Sequence, residues 1–251
     1  AGEDSVYLVE GTDRALCIDA GLYGKELMPV LRTLTDKPID LALTHAHIDH
    51  MYHANEFKQV YIPQADVDNW RANLRMLYAL GHVLYHRPPR PFHMKRATPY
   101  APGTDFALGG VTLHTLAAPG HTQGSTIFID DAHRALFTGD AFGSGEASWM
   151  YLKGCMNVSA YRDSLRAFVP RLEPYRDYVF LGGHRLQGVR SDKHPHGRPL
   201  TMRVAEDMIL LCDDMLSGAA VGKRVRLLPW LRLSVYAHGE ASMVQRRSKI
   251  C

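Results

Sequence analysis

Ile39-Asp40-Leu41-Ala42-Leu43-Thr44-His45-Ala46-His47-Ile48-Asp49-His50 passes from an apolar run into three histidines and an aspartate within six residues. The first half reads as a buried strand, Ile39–Thr44, that ends in polar residues. At an extended strand end His45 and His47 point the same way, because side chains alternate with a period of two. A helix starting directly afterwards presents Asp49 and His50 from its first turn toward the same spot. Neutral imidazole and carboxylate are the ligand types that suit zinc and similar first-row metals. The chain has 14 histidines in 251 residues, too few for such a cluster to be an accident of composition.

Three later segments have the same form. Pro119-Gly120-His121-Thr122-Gln123-Gly124-Ser125 follows the strand-like Val111–Leu116 and sets a histidine between glycines. Phe137-Thr138-Gly139-Asp140 closes the strand-like Arg134–Thr138 with a carboxylate, and Leu181-Gly182-Gly183-His184 closes Tyr178–Leu181 with a histidine. α/β folds place their sites at the C-terminal ends of strands, where all of these candidates fall. Around them, Ser5–Glu10 and Arg14–Asp19 read as a hairpin, Gln59–Pro63 and Ser125–Asp130 as strands, and Lys25–Leu34, Ala65–Tyr85, Ala160–Leu172 and Pro199–Leu216 as helices, the last stopping at Gly218. Val225–Tyr236 and Ala241–Gln245 are β-prone. Each half runs strands, helix, strand, which predicts two similar α/β halves sharing one core. No Pro/Gly/Ser linker divides them, so the expectation is a single domain over 1–251 with a helical, lid-like insertion at about 64–100.

Hydrophobic residues make up 46% of the chain and charged residues 22%, enough for a substantial core and against disorder. The net charge of +3 is too weak to suggest a nucleic-acid partner held by phosphate contacts. The longest uncharged stretch, Phe106–Ile129, carries Gly, Pro, His, Gln and Thr, which argues against a membrane span. Cys17, Cys155, Cys212 and Cys251 form no C-x-x-C pair, so thiolate zinc and thioredoxin-like chemistry are not expected. The cysteines do not settle a compartment. A cytoplasmic setting is slightly favoured, and Ala1 in place of Met leaves a removed signal peptide open.

The order H-x-H-x-D-H, G-H-T-x-G-S, T-G-D, G-G-H resembles the metallo-β-lactamase superfamily over nearly the whole chain, from Ile18-Asp19-Ala20-Gly21 to the last helix. The resemblance implies a four-layer αββα sandwich with two metal ions at one edge of its two sheets. By position, His45, His47 and His121 would hold the first ion. Asp49, His50 and His184 would hold the second, with Asp140 bridging both. Asp19 matches an acidic residue that supports the metal loop from behind in many members. Zinc is the expected metal, with iron and manganese as alternatives. A water shared by two cations about 3.5–4 Å apart has a lowered pKa and supplies a hydroxide, while Asp49 orients it and relays its proton. No G-x-S-x-G points to a serine nucleophile instead.

Asp140 narrows the reaction. The resemblance implies Cys or Ser there in true β-lactamases, and Asp in glyoxalase II-like thioesterases, lactonases, sulfatases and phosphodiesterases. A small-molecule ester, thioester, lactone or phosphoester is the expected substrate. Hydrolysis of β-lactams and metal-dependent oxidoreduction on the same fold are the alternatives, and the oligomeric state is left open. Trp149 and Tyr151, just past Asp140, are read as walls of an apolar pocket, with Gly143-Ser144-Gly145 giving flexibility. Arg87, Arg90, Lys95 and Arg96 read as a solvated basic loop.

Overall fold

The computed structural model describes residues 4–22, 25–69, 92–143, 147–184, 200–225, 232–246 and 250. Strands β1 (Tyr7–Glu10) and β2 (Ala15–Ile18) form the expected antiparallel hairpin. β3 (Ile39–Ala42), β4 (Val60–Pro63) and β5 (Thr98–Tyr100) then add in parallel, giving the order β1-β2-β3-β4-β5. A second sheet is built from β6 (Phe106–Ala107), β7 (Thr112–Ala117), β8 (Thr126–Asp130) and β9 (Ala135–Gly139), all antiparallel. After β10 (Ser148–Trp149), β11 (Val179–Gly182) returns to pair with β9 in parallel and completes the order β11-β9-β8-β7-β6.

The alternation of side chains along these strands creates the layers. On β2 all four residues are buried, which requires cover on both faces. Leu16 and Ile18 point between the sheets, where they meet Val9, Ala42, Tyr100, Phe106, Leu113, Phe128 and Phe137. Ala15 and Cys17 face the other way, with Leu41, Val60 and Ile62, under the short helices α1 (Met28–Leu31) and α2 (Ile48–Met51). Across the molecule Leu116, Ile127, Ile129 and Leu136 form the outer face of the second sheet. It is covered by Tyr161, Leu165 and Phe168 of α4 (Val158–Phe168) and by Met208, Leu211 and Met215 of α5 (Met202–Ser217). The layers therefore run α, β, β, α.

Local chemistry fixes the helix ends. Asn157 caps α4 by accepting from Ala160 N at 2.9 Å. Gly218 stops α5 in a left-handed conformation, φ 81°, as expected for the glycine after a helix. No helix among the described residues is long and apolar enough to cross a membrane.

The structure departs from expectation in four places. The helix expected over Lys25–Leu34 shrinks to Met28–Leu31, with Pro29 in its first turn, and unwinds before Pro38. The helix expected over Ala160–Leu172 ends as α at Phe168 and continues as a 3₁₀ turn, Val169–Tyr175, because Pro170 and Pro174 lack the N–H of a regular helix. Residues 98–100 are the edge strand of the first sheet, with the Tyr100 hydroxyl donating to Leu43 O at 2.7 Å, so the end of the supposed insertion belongs to the scaffold. A third sheet was also unforeseen: β12 (Lys223–Val225), β13 (Leu233–His238) and β14 (Ala241–Gln245) pair antiparallel, and β10 joins β14 in parallel. A helix α3 begins at residue 64 and is described to 69. The rest of the helix expected to Tyr85, Arg87, Arg90 and Ser144-Gly145 lie outside the described residues.

Candidate metal centre

The ends of β3, β7, β9 and β11 converge on one edge of the paired sheets, and the side chains singled out above meet there. The strand-to-helix turn after β3 brings His45 Nε2 to 3.2 Å from His47 Nδ1, and the loop after β7 brings His121 Nε2 to 2.8 Å from the same His47 atom. Asp140 follows β9 directly. Its Oδ2 lies 3.4 Å from His121 Nε2 and 3.2 Å from His184 Nε2, and its Oδ1 lies 3.7 Å from His50 Nε2. Asp49 Oδ2 is 3.9 Å from His184 Nε2. Among the described residues, three sets have donor atoms within 4.8 Å of one another: His45, His47, His121; His45, His50, Asp140; and Asp49, His50, His184.

The backbone is shaped to allow this approach. Pairing of β9 with β11 sets Gly183 against the carboxylate, and a Cβ on Gly183 would lie 2.4 Å from Asp140 Oδ1 and 2.6 Å from His50 Cε1. Gly139 turns with φ 49°, and a Cβ there would meet Thr44 Oγ1 at 2.4 Å. Asp19 also adopts a left-handed conformation, φ 60°, which Asp tolerates better than most residues. Its carboxylate accepts from Thr44 N at 2.7 Å and the Thr44 hydroxyl at 2.8 Å, and lies 2.7 Å from His50 Nδ1.

The donor set fits divalent cations. His50 Nε2 and Asp140 Oδ1 are buried without a hydrogen-bond partner, yet face each other across the cluster. Three ring nitrogens of the first set converge on one another, an arrangement that a cation satisfies and that at most one shared proton per pair otherwise would. His45, His47, His50, His121 and Asp140 are no more than 3% exposed, whereas the side chains of Asp49 and His184 are 27% and 15% exposed. Solvent therefore reaches the cluster from the Asp49–His184 side.

The two sides of the cluster are charged differently. Burial, with the neighbouring imidazoles, holds His45 well below the ordinary range; burial lowers His47 and takes His121 down to about 3. These rings are neutral and offer lone pairs. Burial would also depress His50 and His184, but Asp19, Asp49 and Asp140 raise the former to about 9, and Asp140, Asp4 and Asp49 raise the latter to about 12. Burial pushes the Asp140 and Asp49 carboxyls up, and the surrounding histidines overcome it and hold both below the usual range. A ligand imidazole must be neutral, so a cation beside Asp49 displaces protons from His50 and His184. Its affinity is expected to rise with pH through the neutral range, while binding at His45, His47 and His121 releases far fewer protons. Calorimetric titration with zinc in buffers of different ionisation enthalpy checks this; equal proton release for both ions would contradict it.

One supporting residue was not anticipated. Asp66, fully buried in the first turn of α3, accepts from Ala46 N at 2.8 Å, the Thr122 hydroxyl at 2.9 Å and Gly124 N at 2.8 Å. It clamps the loop carrying His45 and His47 to the loop carrying His121. Gly124 is required beside it, since a Cβ would come within 2.6 Å of Asp66 Cγ. Asp66→Ala leaves two buried backbone donors unpaired and is expected to cost about 3 kcal/mol or more in urea unfolding; a loss under about 1 kcal/mol would refute the clamp. Trp149 and Tyr151 stack on each other with centroids 5.7 Å apart. Tyr151 is buried with Met150 and Leu152 in the apolar core, its hydroxyl without a hydrogen-bond partner, while Trp149 is 38% exposed on β10.

Comparison with known proteins finds related chains. The acyl-coenzyme A thioesterase MBLAC2 of Gallus gallus is 28% identical over 220 residues, 75% of this chain and 77% of that protein. A probable polyketide biosynthesis zinc-dependent hydrolase, BaeB, of Bacillus velezensis is 28% identical over 123 residues, 46% of this chain and 45% of that one. A metallo-beta-lactamase structure from Cronobacter sakazakii with a HARLDQ motif covers 86% of this chain and 88% of its own at a TM-score of 0.61 and 20% identity, a likeness of fold. The family model of the metallo-beta-lactamase superfamily matches residues 2–184, ending on the last histidine of the cluster. The chain belongs to the metallo-beta-lactamase superfamily.

Proposed function

We propose that this protein is a dinuclear metal-dependent hydrolase that cleaves acyl thioesters, with zinc as the metal. The observation that carries the reading is the position of Asp140, whose one carboxylate faces His121 on one side and His50 and His184 on the other. A pair of cations sharing that carboxylate would activate a water and polarise the substrate carbonyl. Asp49, ionised and partly exposed, orients the attacking water and takes its proton. Water adds to the acyl carbon, the C–S bond breaks, and Asp49 passes the proton to the departing sulfur, so that acid and thiol leave. The added negative charge of a bridging carboxylate lowers Lewis acidity, which favours substrates with a good leaving group. A thiolate is such a group and an amide nitrogen is not. The similarity to an acyl-coenzyme A thioesterase supports the same choice.

The test is metal content together with a hydrolysis panel. Purified protein is expected to hold about two ions per chain, to lose activity with a chelator and to regain it with zinc. Acyl thioesters are expected to turn over faster than p-nitrophenyl phosphoesters, homoserine lactones, aryl sulfates and a chromogenic cephalosporin. One ion or none in a fully loaded sample would overturn the dinuclear reading. Cephalosporin turnover orders of magnitude above the rest would replace thioester cleavage with β-lactam hydrolysis, and silence across the panel would remove hydrolysis of these substrates.

A further inference from the structure

Asp4 pairs with His184 as an isolated antiparallel bridge, and Ser5 N donates to Gly183 O at 2.8 Å. The Asp4 side chain also turns onto that histidine: its Oδ1 lies 3.3 Å from His184 Nδ1, with the carboxylate only 8% exposed. The ring's other nitrogen, Nε2, faces Asp140 and Asp49. His50 is arranged likewise, with Nδ1 against Asp19 at 2.7 Å and Nε2 toward Asp140. The first set of histidines differs. His45 Nδ1 meets the neutral Thr44 hydroxyl at 3.1 Å, and His121 Nδ1 is buried without a partner. A carboxylate behind the ring thus marks both His50 and His184. Packing does not account for Asp4, because its Oδ2 is buried with no hydrogen-bond partner, an arrangement that costs stability.

We propose that Asp4 is a positioning residue for the metal centre: it fixes His184 with the proton on Nδ1 and presents Nε2 to the ion beside Asp49. A carboxylate on the far nitrogen of a ligating histidine orients the ring and makes it a better donor, and removing such a partner lowers metal affinity about 10–100-fold. The inference rests on the two-ion reading above. It extends the site to the N-terminal segment, some 40 residues before the first histidine of the cluster.

Zinc affinity is to be measured by competition with a graded series of chelators for the wild-type chain, Asp4→Ala and Asp4→Asn, with thermal melts in excess chelator. Asp4→Ala keeps the backbone bond from Ser5 to Gly183, so its metal-free chain is expected to stay folded and melt cooperatively. Its weaker ion is expected to be held about 10–100-fold less tightly, with the tighter ion unchanged. Asp4→Asn, whose amide oxygen still accepts from Nδ1–H, is expected to recover part of the loss. Wild-type affinity for both ions in Asp4→Ala would overturn the proposal. Equal weakening of both ions with a lowered metal-free melt would do so too, by making Asp4 a tether of the fold. Failure of the wild-type chain itself to bind a second ion would overturn the two-ion reading, and Asp4 with it.

Discussion

Asp140→Ser is expected to lower thioester hydrolysis by about 10³-fold, the rate equivalent of the several kcal/mol that metal ions supply to a charged transition state. The loss falls unequally on the two ions. His45, His47 and His121 stay in place for the first, whereas the second keeps only Asp49 as a carboxylate. Serine also removes the negative charge that lies between His50 and His184 and would face the second cation. Metal analysis should therefore find about one ion per chain, and steady-state kinetics should show the fall mainly in kcat. Two tightly held ions and an unchanged rate would mean that Asp140 bridges nothing. His184→Ala should repeat the second-ion lesion, and His121→Ala should weaken the first.

Asp19→Ala is expected to damage both fold and centre. It strands the buried Thr44 N–H, worth about 1–3 kcal/mol when left unpaired, leaves the Thr44 hydroxyl with His45 Nδ1, and places alanine in a left-handed conformation at a further cost of about 1–2 kcal/mol. A destabilisation of about 3 kcal/mol or more should appear in urea unfolding of the metal-free chain. His50 simultaneously loses the carboxylate on Nδ1, so the second ion should bind about 10–100-fold more weakly. Asp19→Asn, which keeps an acceptor for Thr44, should restore most of the stability and less of the affinity. If the alanine variant unfolds like wild type, the carboxylate does not hold the loop.

The four ligand-bearing segments were legible because each is local: an apolar strand, then its ligand within a few residues. His45 through His50 needed only the strand period and the start of a helix. The supporting residues were not legible in the same way, since Asp66 reaches Ala46 across 20 positions and Thr122 across 56, distances over which a pattern in one sequence carries no signal. Strands β5, β6 and β10 span only two or three residues, too few for alternation to show. Tyr151 is hard to read from sequence for a related reason. An aromatic residue near a site has the same spelling whether it lines a pocket or packs beneath it, and only the fold shows that Tyr151 is buried in one cluster with Met150 and Leu152.

The third sheet sets an order in time. β10 pairs with β14, and Gln245 Nε2 reaches back across 95 positions to donate to Met150 O, while His184 completes the metal-binding residues about 60 positions earlier. At about 5–20 residues per second, a ribosome delivers the last histidine several seconds before the last strand. The candidate ligands are therefore all present while Ser148 and Trp149 still lack their neighbour. Late pairing of this kind is slow, because the intervening loop must close before any contact rewards it.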